Sequence, residues 1–242
     1  MGAVTDIAWT DRTYNPVWGC TRVSPGCANC YAETMARRWG WNIWGRTADR
    51  RTFGDKHWME PLVWNSEAEK TGTGTKVFCA SMCDIFESHA TTRATLPRLF
   101  DLIRKTPLLT WQLLTKRPER IADSLPADWG RGYPNVWLGT TIESNEQADR
   151  VKALTRNPAV CHFVSNEPAL GPLDIDLSHV EWVIHGGESG AHFREADPKW
   201  AETLHDRCKE KGVAYFYKQP SGRFPGGKAL IRGRVVKNFP KL

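Results

Sequence analysis

Three of the seven cysteines lie close together, at Cys20, Cys27 and Cys30, with the spacing Cys-x6-Cys-x2-Cys. Thiolates are soft ligands that suit iron–sulfur clusters and zinc. Three of them can bind three irons of a four-iron cluster and leave the fourth iron open. Pro25 and Gly26 permit the turns that bring Cys20 back beside the other two. The segment is therefore predicted to be a metal-binding loop, with a 4Fe-4S cluster as the first interpretation.

Zinc is the main alternative, because Cys27 and Cys30 have the spacing of a zinc knuckle. A closed zinc site needs four ligands, and the next candidates, His57 and Cys79, do not follow at a matching distance. Unligated cysteines in the core are a third interpretation. An open iron is the site where S-adenosylmethionine (SAM) is chelated in radical-SAM enzymes, although their commonest spacing is Cys-x3-Cys-x2-Cys.

A glycine pair followed by a carboxylate supports the same interpretation. Gly186, Gly187 and Glu188 come directly after the apolar run Val180–His185. Glycines at a strand end let a ligand approach the backbone, and a carboxylate there can accept hydrogen bonds from an ammonium group. We expect these residues to bind the amino group of SAM. In radical-SAM enzymes this element usually follows an earlier strand, so an ordinary glycine turn is the alternative.

Short apolar runs alternate with helical patterns along the chain. The predicted strands are Lys76–Ser81, Leu108–Thr115, Asn135–Thr141, Cys161–Ser165, Val180–His185 and Val213–Lys218, with another before Cys20. The predicted helices lie near Ala28–Trp39, Ala94–Lys105, Asn145–Arg156 and Asp197–Lys211, with N-caps at Asn145 and Asp197. This alternation predicts an α/β protein with parallel strands and outer helices. A single-domain partial (β/α) barrel of the radical-SAM type is favoured over an open doubly wound sheet.

Charged residues follow almost every predicted strand. They are Asp84, Lys116 with its neighbour Arg117, Glu143, Glu167, Glu188 and Lys218. Active sites of parallel β/α folds gather at this edge, where strands end and helices begin. We therefore expect these side chains to meet at one site and to position SAM or substrate. For any single residue, a solvated loop charge is the alternative.

The charge balance points to an acidic partner. The net charge is +6 and the isoelectric point is near 9.0. The C-terminal residues 219–242 form a predicted basic tail, and residues 37–58 interleave arginines with tryptophans. Such mixtures suit stacking on bases beside phosphate contacts, so a nucleic acid or nucleotide is the expected substrate. Packed tryptophans with solvated arginines are the alternative.

One domain is predicted to span residues 1–242. Residues 40–74 form a long stretch that lacks a clear helix or strand pattern, so an insertion or lid is predicted there. Hydrophobic residues make up 40% and charged residues 25% of the chain, which is typical of globular proteins. No apolar run approaches the roughly 20 residues of a membrane span, and the start of the chain lacks a signal-peptide pattern. A cytoplasmic location is expected.

The combined motifs resemble a known family, which is encoded in phages and prophages and has been carried as a domain of unknown function. The segments that carry the resemblance are Thr5–Asp11, Asn15–Cys20, the three cysteines, Leu113–Glu119, Asn135–Gly139, Glu167-Pro168, Gly186–Gly190 and Lys218-Gln219. They cover nearly the whole chain. Cys83 departs from the pattern, since the family more often has serine there.

The resemblance implies a radical-SAM-like cysteine motif and a neighbouring "three-Cys-motif partner" protein. Together with the residues, it suggests an enzyme that holds a 4Fe-4S cluster and SAM and generates a 5′-deoxyadenosyl radical. The reaction and substrate stay open. The alternative is a protein that binds nucleic acid without catalysis and uses zinc or a cluster only for stability.

Overall fold

Seven parallel strands form one sheet in the computed structural model, which describes residues 5–242. The strands are β1 (Arg12–Tyr14), β2 (Thr75–Cys79), β3 (Leu109–Thr115), β4 (Val136–Thr141), β5 (His162–Asn166), β6 (Trp182–Gly186) and β7 (Ala214–Gln219). Each strand pairs with the next one along the chain, so the order never reverses. A doubly wound sheet requires such a reversal. The half-barrel with outer helices is therefore the observed architecture, and all strands end at one rim.

Five α-helices accompany the sheet within the described residues. They are α1 (Tyr31–Arg38), α2 (Asp55–Thr71), α3 (Ala90–Arg104), α4 (Arg150–Thr155) and α5 (Pro198–Lys211). The predicted cap of α5 is present, because the Asp197 side chain accepts a hydrogen bond from the Lys199 N–H at 2.9 Å. The predicted Asn145 cap is wrong. Ser144 caps a short 3-10 turn there, and α4 begins only at Arg150.

Helix α2 lies within residues 40–74, a stretch predicted to be irregular. That prediction is wrong for the second half of the stretch, which is helical over Asp55–Thr71. Trp58, Trp64 and Ala68 are buried along one side of the helix. Gly72 ends the helix at a φ of 66°, a left-handed conformation that glycine adopts without strain. The apolar spacing and this glycine were the available signals, but Pro61 inside the helix obscures them.

The sheet has a different core on each face. The outer face packs under the helices through residues such as Val77, Trp111 and Val183. The inner face carries a smaller, mostly aromatic cluster of Trp9, Phe78, Phe163, Trp182, Ile184 and Phe216. Alternation of side chains along each strand produces these two faces. The aromatic cluster fills the inside of the half-barrel, and the site lies at the rim beyond it.

The C-terminal segment runs back along the edge of the sheet. Tyr217 N–H donates to the Val236 carbonyl, and Asn238 N–H donates to the Tyr215 carbonyl. Phe239 then packs against Trp182 at a ring separation of 5.3 Å. The predicted basic tail of residues 219–242 therefore begins within β7 and partly covers that edge strand. No helix in the described part of the chain is long and apolar enough to cross a membrane.

Candidate active site at the strand ends

The cysteine loop, residues 19–30, lies across the rim. At its start, the Gly19 N–H donates to the Met82 carbonyl at 3.0 Å, and Gly19 forms a parallel bridge with Cys83 after β2. Gly19 has a φ of 114°, and a Cβ there would lie 2.8 Å from the Arg50 side chain, so only glycine fits. At its end, Cys30 is directly followed by the first residue of α1.

Arg117, which follows β3, binds the first part of this loop. Its guanidinium donates to the Asp84 carboxylate at 2.8 Å and to the Thr21 carbonyl at 2.6 Å. The same group lies 3.9 Å from the Cys20 sulfur. Thr115 also donates to Asp84, at 2.7 Å. Asp84 therefore orients the arginine, and the arginine places a buried positive charge beside the first cysteine.

Glu143, after β4, binds the middle of the loop. Its carboxylate accepts a hydrogen bond from Ser24 at 2.5 Å and forms ion pairs with Lys116 at 3.0 Å and Arg150 at 2.8 Å. Burial alone would raise the pKa of Glu143, but these cations and the serine lower it below its ordinary value. A Cβ on Gly26 would overlap this carboxylate, which explains the glycine at that position. Two strand ends and the loop thus meet at one ionised carboxylate.

Glu188, after β6, binds the last part of the loop. It accepts hydrogen bonds from the Asn29 amide at 2.9 Å and from the Arg194 guanidinium, which also donates to the Pro25 carbonyl at 3.1 Å. Burial would raise the pKa of Glu188, but the bonds from Arg194 and Asn29 lower it below its usual range. The carboxylate is therefore an anion that is already held by donors.

Glu167 and Lys218 form the remaining pair of the rim. Their ion pair spans β5 and β7 at 2.8 Å, across the end of β6. Gly186 lies between them, since a Cβ there would be 2.8 Å from the Glu167 carboxylate. Gly187 packs against the backbone of Ser221, which leaves no room for a side chain. The glycine pair therefore serves close packing in this structure.

All the rim residues singled out from the sequence thus lie at the strand ends, joined in ion pairs or in contact with the cysteine loop. Four polar side chains that follow β3, β4 and β6 contact the loop, namely Arg117, Glu143, Glu188 and Arg194. Sequence reasoning missed Arg150, Arg194 and Asn29. Arg150 begins a helix and Arg194 lies in a loop, and neither position carries a motif.

Sequence reasoning also missed a buried pair that holds residues 43–50 against the rim. Arg50 and Glu87 form two hydrogen bonds, at 2.7 and 2.9 Å, with side-chain exposures of 0% and 2%. Arg50 also donates to the Thr21 hydroxyl at 3.1 Å and to the Ala48 carbonyl at 2.7 Å. Each nitrogen of the Arg50 guanidinium therefore donates to at least one acceptor, as a buried charge requires. This pair ties the cysteine loop to the segment that precedes α2.

The three loop cysteines are partly exposed free thiols. Burial raises the pKa of Cys20 to about 12, with Asp84 adding to the shift and Arg117 opposing it. In residues 5–242, no three or more His, Cys, Asp or Glu side chains converge on a single-ion site. A four-iron cluster instead takes one thiolate for each iron, so its ligands need not converge on one atom. Soft donors on one exposed loop, with an arginine beside Cys20 to offset negative charge, fit such a cluster.

The arginine- and tryptophan-rich stretch, residues 37–58, is divided between core and surface. Arg50 and Trp58 are buried, whereas Trp39 is 50% and Trp41 is 40% exposed. In the C-terminal tail, Arg232 forms an ion pair with Asp206 of α5, and Arg223 and Lys228 are exposed. Only some of these residues are therefore exposed and able to contact a nucleic acid.

A solved structure identifies the fold class. The chain is similar to a double mutant of spore photoproduct lyase with bound AdoMet and dinucleoside spore photoproduct. The TM-score is 0.54 and the identity is 12%, over 96% of this chain and 71% of the other. At that identity the likeness concerns the fold, which is the partial (β/α) barrel of radical-SAM enzymes, as predicted.

The sequence also identifies the family. Residues 4–233 match the family described as "Protein of unknown function (DUF5131)", and the chain belongs to it. No curated protein matches the sequence significantly. The predicted membership of a family of unknown function is therefore confirmed.

Proposed function

We propose that this protein is a radical-SAM-type enzyme that binds a 4Fe-4S cluster through Cys20, Cys27 and Cys30. The observation that carries the proposal is the convergence of the rim on the cysteine loop. Buried ionic groups from several strand ends hold that loop at the edge where β/α barrels place their active sites. A stability element alone has little need for such costly buried charges. The radical-SAM fold of the similar structure supports the same class.

Within this proposal, SAM lies between the cysteine loop and the ends of β5, β6 and β7. Glu188 would provide the carboxylate for its amino group, because it is an anion at the end of β6 whose carboxylate is oriented by Asn29 and Arg194. Gly186 and Gly187 let the Glu167 carboxylate and the Ser221 backbone pack closely against this strand end. When bound, the cluster and SAM would supply one-electron chemistry and a 5′-deoxyadenosyl radical for hydrogen abstraction.

The remaining rim residues fix positions and charges in the proposed site. Asp84 orients Arg117 beside Cys20, and Glu143 holds Lys116 against the loop. Glu167 and Lys218 offer one carboxylate and one ammonium group on the inner side of the rim. These two side chains are 15% and 25% exposed, so a substrate can reach them without opening the core. We assign them to substrate or SAM positioning.

A nucleic acid or nucleotide is the proposed substrate class. The net charge of +6 favours a polyanion, and the similar solved structure holds a dinucleoside. The partner protein implied by the family resemblance stays a prediction.

Anaerobic reconstitution tests the proposal. Iron and sulfide content, the EPR spectrum of the reduced protein and the formation of 5′-deoxyadenosine from SAM should be measured together. We expect close to four irons per chain, and loss of iron and product in Cys27→Ala. Cys208→Ala is the matched control, because Cys208 is a buried thiol of α5 far from the loop in sequence. Stoichiometric zinc without iron, or iron uptake that survives Cys27→Ala, would contradict the proposal.

A further inference from the structure

Beside the cysteine loop, four side chains form a stack that we call the Trp–Arg column: Trp39, Trp18, Arg51 and Trp41. Trp39 and Trp18 are stacked with ring centres 5.3 Å apart and an angle of 25°. The Arg51 guanidinium carbon lies 4.5 Å from the Trp18 ring and 4.4 Å from the Trp41 ring. Both contacts of Arg51 are within cation–π range.

The backbone builds this column and places it near the proposed site. Trp18 and Arg51 exchange two backbone hydrogen bonds of 2.9 Å, so their side chains start from paired positions. Trp18 lies two residues before Cys20, and Trp39 directly follows the eight-residue helix α1, which starts after Cys30. That helix is about 12 Å long. The column therefore lies within a few nucleotide lengths of the cysteine loop, at about 3.4 Å for each stacked nucleotide.

The ends and the edge of the column have unused binding capacity. Trp39 and Trp41, the terminal indoles, are 50% and 40% exposed. In the described residues, no carboxylate pairs with Arg51 and no acceptor takes a hydrogen bond from its guanidinium. Its guanidinium carbon lies near the rings of Trp18, Trp41 and Phe53, so its N–H groups are the part that can bind an anion. N–H groups of this kind fit a phosphate group, which accepts paired N–H donors.

The surrounding charge has the matching sign. Residues 37–58 contain six Lys or Arg side chains and two Asp side chains. Arg38 and Arg46 are exposed and form no ion pair with any residue from 5 to 242. An indole offers a base a stacking surface only if that base is unpaired, which favours a single strand over a duplex.

We propose that the Trp–Arg column binds single-stranded nucleic acid, with bases on Trp39 and Trp41 and a phosphate at the edge of Arg51. The column would hold the nucleotides that flank the reacting one. This inference rests on the proposed function only for the substrate class, because the column itself needs neither cluster nor SAM.

The test is fluorescence anisotropy of a labelled single strand of about 12 nucleotides, as DNA and as RNA, with the full chain before and after cluster reconstitution. Trp41→Leu should weaken binding by roughly 5- to 150-fold, and Trp41→Phe by much less, because phenylalanine retains an aromatic face. Arg51→Gln should reduce the slope of log affinity against log salt by about 0.7, the value for one phosphate on a single strand.

Arg12→Gln is the matched control for charge. Arg12 also lies over an indole, that of Trp64 at 5.1 Å, but it belongs to β1 and its charge is paired with Glu67. It should leave the affinity nearly unchanged. Equal losses in Arg12→Gln and Arg51→Gln, or no loss in Trp41→Leu with a folded protein, would overturn the column as the binding site. Tighter binding of the matching duplex, or of an acidic protein such as polyglutamate, would overturn the single-strand assignment.

The outcomes separate this inference from the proposed function. Strand binding that depends on Trp41, without SAM cleavage, supports the column and contradicts the enzyme. SAM cleavage by a protein whose strand affinity ignores Trp41 and Arg51 contradicts the column and leaves the enzyme supported.

Discussion

The two ends of the half-barrel differ in how they are held together. One end is the interior of the half-barrel, which is filled by aromatic rings. There Trp182 contacts Trp9, Trp137 and Phe216 at ring separations of 5.8 to 6.2 Å. The rim is held by ion pairs and hydrogen bonds to the cysteine loop. Apolar contacts are insensitive to the state of a ligand, whereas ionic contacts respond to added charge. The same strands thus carry stability at one end and a site for charged ligands at the other.

The largest expected effect comes from breaking the aromatic end. Trp182 is fully buried, and its indole N–H donates to the Asn238 carbonyl at 2.9 Å. Trp182→Ala should lower the free energy of unfolding by about 3–5 kcal/mol, because it leaves a cavity among rings. Urea unfolding measures this, and Trp182→Phe should lose less. Iron bound per folded chain should stay constant, and loss of iron at unchanged stability would contradict the division between the two ends.

His185 lies one residue before Gly186, and its side chain packs on the outer face of the sheet. It is buried next to Tyr217, at a ring separation of 5.3 Å, and its Nδ1 has no partner among the described residues. Burial lowers its pKa from 6.5 to about 4. Between pH 6.5 and about pH 4, His185 is therefore protonated in the unfolded chain but neutral in the folded chain. Because the unfolded state binds the extra proton, the free energy of unfolding falls as the pH falls through this range.

That proton should cost about 3 kcal/mol of stability across this pH window. His185→Phe removes the titrating group while keeping a ring of similar size, so its loss of stability on acidification should be smaller than that of the wild type. Urea unfolding at several pH values between neutrality and pH 4 gives the comparison. Identical pH slopes in the two proteins would show that His185 is not buried in the neutral form.

The rim should respond next. Glu143→Gln leaves Lys116 and Arg150 close together without their carboxylate, with side-chain exposures of 22% and 14%. Loss of one partner of a fully buried pair costs about 3–5 kcal/mol, and the partial exposure of these cations reduces this to about 2–3 kcal/mol. The matched control is Glu67→Gln, which breaks the exposed pair with Arg12 and should cost about 0–1 kcal/mol. Equal costs would mean that the rim pair is solvated.

The sequence predicts this rim better than it predicts the contacts within it. Continuous apolar runs identify the six longer strands to within two residues, and a parallel sheet forces their ends to one edge. That reasoning places Glu143 and Lys116 at the rim. It does not pair them, because pairing depends on side-chain reach between neighbouring strands.

Other features leave weaker traces in the sequence. Arg194 lies in a loop whose path depends on a backbone hydrogen bond from Gly190 to Gly222. No local sequence pattern predicts this long-range bond. Arg50 resembles the exposed arginines around it and is distinguished only by Glu87, 37 positions later. Helix α2 is missed because Pro61 lies inside it and obscures the helical pattern. Long-range partners decide each of these outcomes.

Arg194→Gln is expected to have the smallest effect on global stability, and its effect should be confined to the cysteine loop. The Arg194 guanidinium is 38% exposed, so its ion pair with Glu188 should contribute no more than about 1 kcal/mol to the free energy of unfolding. However, Arg194 also binds the Pro25 carbonyl, and Glu188 binds Asn29, so this group fastens the cysteine loop at two points. Arg194→Gln should therefore loosen the loop without unfolding the barrel.

Hydrogen exchange can separate these two effects, because local opening exposes amides that global unfolding also exposes but more rarely. In the cluster-free protein, peptides covering residues 19–30 should exchange faster in Arg194→Gln, while peptides of β3 and β4 should be unchanged. Arg98→Gln breaks an exposed pair with Asp55 of α2 and serves as the control. Faster exchange throughout the sheet would make Arg194 a general stabilising residue. Unchanged exchange in the loop would mean that the contacts of Ser24 and Thr21 suffice to hold it, which would shift the role of Arg194 from the loop to whatever ligand Glu188 binds.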